Sequence, residues 1–138
     1  MKKFIIGDSM SSYSELLKKV WNQDPNKSTL IDPFFIKYRI DDNVILVFNL
    51  MLGKLAKISY LNNYNHEILE SVKIGMNIKS ISEKYKLSYN EDENYYFIND
   101  KNNVALFFEN PYLSIIENPT NKLEEVTVYD ADLLLYPN

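Results

Sequence analysis

The stretch Asn103-Val-Ala-Leu-Phe-Phe108 has a counterpart in Asn43-Val-Ile-Leu-Val-Phe48, sixty residues earlier, with Asn, Val, Leu and Phe at the same places. A second echo follows each copy. Lys54-Leu55-x-x-Ile58-Ser59 returns sixty-eight residues later as Lys122-Leu123-x-x-Val126-Thr127. Both copies of the first echo are apolar on alternate and on intervening positions, the mark of a central strand with two covered faces. The two offsets differ by eight, which places an insertion of about eight residues between Glu109 and Asn121.

Working outward, each echo sits in a larger unit. Ser12-x-x-Glu15 is a capping-box pattern, in which the Ser hydroxyl takes the N3 amide and the Glu reaches back to the cap. Tyr13, Leu16, Leu17, Val20 and Trp21 follow at helical spacing, predicting a helix over 12–22 with this stripe in the core. Residues 26–32 are polar and read as a loop. Phe34 to Asp41 alternates with the period of a half-buried strand, Val44 to Leu50 is the central strand, and Lys54 to Leu61 alternates again.

The second unit reads the same way. Asn77 suits a helix cap, with Met76 and Ile81 as a hydrophobic staple, so a second helix is expected over 77–85. Strands follow at Asn94–Ile98, Val104–Phe108 and Glu124–Tyr129, with an extra short element at Tyr112–Ile116 and an edge strand at Lys2–Ile6. The expected fold is α+β in a single domain over 1–138. A tandem α-β-β-β repeat, about 9–61 and 74–129, would form an antiparallel sheet of about six strands with two main helices.

Composition narrows the chemistry. The chain has 138 residues, 46% hydrophobic and 14% aromatic, enough for a packed core. It has no Cys, which removes disulfides, thiolate nucleophiles and Cys-based zinc sites. The apolar run after Met1-Lys-Lys3 stops at Gly7-Asp8, short of a signal-peptide core, so a cytoplasmic protein without a membrane span is expected. Residues 1–86 hold thirteen Lys/Arg against nine Asp/Glu, a balance of +4; residues 87–138 hold two against ten, a balance of −8. Such a half is either a solvated face or a docking face for a basic protein. Arg39 is the only arginine, which disfavours nucleic acid.

One family resemblance is carried by Ile74-Gly75-Met76-Asn77 entering a short helix and by a meander ending in Val126-Thr-Val-Tyr129. Residues 72–129 resemble the helix-plus-meander unit of the beta-lactamase-inhibitor-protein and outer-membrane assembly lipoprotein (SmpA/OmlA-like) group. The entry is shorter than the group's and lacks its Thr, and the chain has no disulfide and no lipobox. In general character the chain is similar to bacterial immunity proteins, although no residue pattern carries that likeness. Both resemblances imply protein-binding scaffolds and bring no catalytic residues with them.

Reaction motifs are sparse. His66, beside Glu67, is the only histidine and lies in a polar connection. Glu91-Asp92-Glu93 could serve a glycosidase or a hard cation, but adjacent carboxylates before a strand usually form a solvated turn. Asp130 and Asp132 carry the same reading. No phosphate loop, Ser/His/Asp set or metal-binding helix is present in the sequence, and no cofactor or metal is expected. The eleven tyrosines are more informative, because Tyr is favoured in binding patches. The expected function is non-enzymatic protein binding, in its sharpest form an immunity protein neutralising a basic toxin. The expected partner-binding residues are Glu91, Asp92, Glu93, Tyr95, Tyr96, Glu109, Tyr112 and Glu117. A small carboxylate-dependent enzyme and a structural or assembly subunit are the alternatives.

Overall fold

Eight strands form one antiparallel sheet in the computed structural model, which describes residues 3–111 and 115–136, with Asn102 described by its backbone. The strands are β1 (Ser28–Asp32), β2 (Phe35–Ile40), β3 (Val44–Asn49), β4 (Lys54–Leu61), β5 (Leu87–Asn90), β6 (Tyr95–Ile98), β7 (Lys101–Phe108) and β8 (Leu123–Tyr129). Their order in the sheet is β1-β2-β3-β4-β8-β7-β6-β5. Two α-helices accompany them, α1 (Ser14–Gln23) and α2 (Ile78–Ser82).

The expected six strands and two main helices are therefore corrected to eight strands, one main helix and one short one. The two added strands are the sheet edges. β1 pairs only with β2, Ser28 opposite Tyr38 and Leu30 opposite Ile36, and its middle residues Thr29, Leu30 and Ile31 are exposed. An edge strand needs no alternating apolar face, so its sequence reads as a loop. β5 is four half-buried residues that pair only with β6, Leu87 opposite Ile98. The second helix stops after five residues. Ile and Ser propagate a helix weakly, and the Ser82 hydroxyl donates to the Lys79 carbonyl at 2.7 Å, a local bond that competes with the next turn.

Smaller expectations also change. Residues 3–6 form no strand, and of the element expected at Tyr112–Ile116, residues 112–114 lie outside the described ones. Ser12 is not the cap of α1. It lies inside a 3-10 turn (Met10–Tyr13) that leads into the helix, and Tyr13 occupies the cap position. Asn77 does cap α2, its side chain accepting from the Ser80 amide at 2.8 Å. Trp21 leaves the expected core stripe and is 53% exposed, while Tyr13, Leu17 and Val20 are buried.

The chain divides into two compact units, Met1–Ser59 with Val128–Asn138, and Tyr60–Thr127. Their internal hydrogen bonds match at an offset of sixty-eight residues. In the first unit the Gly7 amide donates to Leu55, the Leu55 amide to Asp8 and the Met10 amide to Gly53, at 2.8, 2.9 and 2.7 Å. In the second the Gly75 amide donates to Leu123, the Leu123 amide to Met76 and the Ile78 amide to Asn121, each at 2.8 Å. Gly7 and Gly75 take φ of +91° and +93°, a conformation that a side chain would strain.

The cores match as well. Val44, Leu46 and Phe48 of β3 are buried, and so are Val104, Leu106 and Phe108 of β7. Tyr38 stands edge-on to Phe48 at 6.0 Å, and Tyr96 stands edge-on to Phe108 at 5.6 Å. Register gives these tyrosines the same place, since Tyr38 lies opposite Leu46 and Tyr96 opposite Leu106. Each fully buried Leu or Phe contributes about 1.5–3 kcal/mol, so these paired positions dominate the stability of their units.

Candidate protein-binding surface

Alternation along β6 decides where the expected contact residues go. Successive side chains leave a strand on opposite faces. Tyr96 turns inward, its ring 5.0 Å from Tyr89 and edge-on to Phe108. Burial raises its pKa above the ordinary tyrosine value, with smaller contributions from Tyr89 and from the negative charge of Glu117. Tyr95 faces the other way, 5.5 Å from the half-buried ring of Phe107. The two adjacent tyrosines therefore do not form one patch.

The acidic triplet Glu91-Asp92-Glu93 lies in the turn between β5 and β6, fully in solvent. Asn90 shapes this turn by accepting from the Asp92 and Glu93 amides at 3.0 and 3.2 Å. The next residue, Asn94, takes φ of +58° and donates its amide to the Asn90 carbonyl at 2.9 Å. Such Asx geometry fixes the turn, and all three acidic residues on it are exposed. Glu109 and Glu117 are also exposed, and Tyr112 lies outside the described residues.

The second unit also carries a groove of about 850 Å³ that the sequence did not announce. Leu61, Ile74, Phe107 and Pro111 supply its apolar lining. Glu109 and Glu124 bring carboxylates to it beside the cation of Lys122; Glu125 also lines it, but its side chain leaves the other face of β8, where it accepts the Thr127 hydroxyl at 3.0 Å. Asn94 lines it too, so the acidic turn and the groove are continuous through that residue. Of the expected contact residues, Glu109 reaches the groove directly, and Tyr95 neighbours it through Phe107. The one signal in the sequence was Phe107 itself, an apolar residue on the second face of a strand whose first face is already core.

The candidate reactive residues are dispersed. His66 is exposed, with its ring 5.5 Å from Tyr64, and Glu67 accepts the Ser71 amide at 2.6 Å. Asp130 holds the Asp132 amide at 2.9 Å and is bound up in the C-terminal turn. Among the described residues no three His, Asp or Glu side chains are grouped to hold a metal ion, and no helix is long and apolar enough to cross a membrane. No protein-family model, curated protein or solved structure matches the chain.

Proposed function

We propose that this chain is a non-enzymatic binding module that recognises a basic protein through its second unit, with neutralisation of a basic toxin as the sharpest version. One observation carries the reading: the carboxylates of Glu91, Asp92, Glu93, Glu109 and Glu117 are exposed in a unit that also presents the groove with its apolar and acidic lining. Fixed negative charge of this density accelerates encounter with a positive surface, and an adjoining apolar recess supplies the area that slows dissociation. The test is capture of the partner from the native host, followed by association kinetics at low and high salt. A basic partner whose association slows steeply with salt supports the reading. An acidic partner, or association indifferent to salt, removes it.

A further inference from the structure

The internal match between the units shows how this fold covers the second face of its central strands. In the first unit that face is closed by the chain's own C-terminal segment. The Asn49 side-chain amide donates to the Leu133 carbonyl at 2.8 Å, and the Tyr136 ring stands edge-on to Phe35 at 5.2 Å. Val47 and Asn49 are consequently 3% and 6% exposed. The residues sixty positions later are Phe107 and Glu109. Here Phe107 is half-buried, Glu109 is exposed, and both line the groove.

The change of side chain matters as much as the change of burial. Asn49 offers an N–H donor to a backbone carbonyl. A Glu109 carboxylate offers acceptors only, so whatever seats against it must bring donors. Glu124 makes the same demand, and Lys122 offsets one charge of the two. A second copy's C-terminal segment is a poor occupant, since it brings Asp130 and Asp132 to a site that is already negative.

Resting on the basic-partner reading above, we infer that this groove seats one extended segment of a basic protein. Its Lys or Arg side chains pair with Glu109 and Glu124, and an apolar side chain of it packs on Phe107. A groove of about 850 Å³ falls in the size range of natural binding sites, and its open side suits a segment laid along it.

The test uses the full chain and a fluorescein-labelled peptide of alternating Lys and Leu, with an alternating Glu and Leu peptide as control, read by fluorescence anisotropy. Two variants are compared: Glu109→Asn with Glu124→Gln in the groove, and Glu91→Gln with Asp92→Asn and Glu93→Gln in the turn. The expected result is that the groove variant weakens binding of the Lys peptide by about tenfold or more and the turn variant by about threefold or less. Amide shifts on titration should centre on Phe107, Glu109 and residues 122–125. If the turn variant alone weakens binding, the groove is wrong and the basic-partner reading stands. If the Glu peptide binds as tightly, both are wrong. Failure of the Lys peptide to bind, or amide shifts that centre on the edge of β1 instead, overturns the groove.

Discussion

Asn121 holds Asn110 through both atoms of its side-chain amide. Its Nδ2 donates to the Asn110 carbonyl at 2.8 Å, and its Oδ1 accepts the Asn110 amide at 3.0 Å. Asn121 is 1% exposed, so it closes the two ends of residues 110–121, where the second unit carries its extra length, from inside the fold. Asn121→Ala would leave two backbone groups of Asn110 without their partner. The expected cost is about 1–3 kcal/mol in urea unfolding, with earlier hydrogen exchange at Asn110. Exchange at Asn110 unchanged by the substitution would show that the clamp does not hold.

The same region shows what a sequence can and cannot reveal here. The central strands were legible because each carries a continuous apolar run, Val44–Phe48 and Val104–Phe108, even though the second face of the later one is only partly covered at Phe107. The edges were not, because Ser28–Asp32 needs only a partner strand and carries no face of its own. Trp21 misled because it flanks the stripe of Tyr13, Leu17 and Val20, where helical spacing does not separate core from rim. The acidic character of the second half was countable, and its turn was readable from the run of carboxylates. The groove was not, since Leu61, Ile74, Phe107 and Glu124 come from four separate stretches that only folding brings together.

Tyrosines partly or fully withdrawn from water make alkaline stability a second test. Tyr13 donates to Asp8 Oδ2 at 2.7 Å and accepts the Ile5 amide at 3.0 Å; burial first, then the Asp8 bond, raises its pKa above 10.0. Burial likewise raises Tyr38, Tyr64 and Tyr96. A raised folded pKa means stability is complete below the unfolded value and is lost as pH climbs through the folded one. Urea midpoints should therefore hold steady up to about pH 9 and fall above about pH 10. Tyr13→Phe should lower the plateau by about 1–2 kcal/mol and make the alkaline fall shallower. An unchanged slope would remove Tyr13 from this account.

At the acid end the relevant pair is Tyr136 and Asp32. The Tyr136 hydroxyl donates to Asp32 Oδ2 at 2.7 Å, and this bond, with the Phe34 and Phe35 amides on Oδ1, holds the Asp32 carboxyl below its ordinary value of 3.8. A depressed pKa contributes stability above the unfolded value that disappears as pH falls through the folded one. Tyr136→Phe should raise the Asp32 pKa, read by carboxyl NMR titration. An Asp32 titration identical in the variant would show that the terminal tyrosine does not engage it.

The opposed directions of Tyr95 and Tyr96 give the last test, which separates binding from folding. Tyr96 is half-buried with its ring against Tyr89 and Phe108, and Tyr96→Ala removes both aromatic contacts. Its expected cost is about 1–3 kcal/mol of stability, less than for a fully buried aromatic because part of the ring stays in water. Tyr95 stacks against Phe107 at the groove, and its hydroxyl meets the Asn90 side chain only at 3.4 Å. Tyr95→Ala should therefore spare the fold by comparison, yet speed dissociation of a captured basic partner by a factor corresponding to about 1–3 kcal/mol. Neutralising Glu91, Asp92 and Glu93 acts on the other rate, slowing association and flattening its salt dependence, because exposed charges steer encounter more than they hold the complex. Stopped-flow kinetics on the three variants reads both rates. A Tyr95→Ala protein that releases its partner no faster than the wild type would show that this side of β6 is not the binding face.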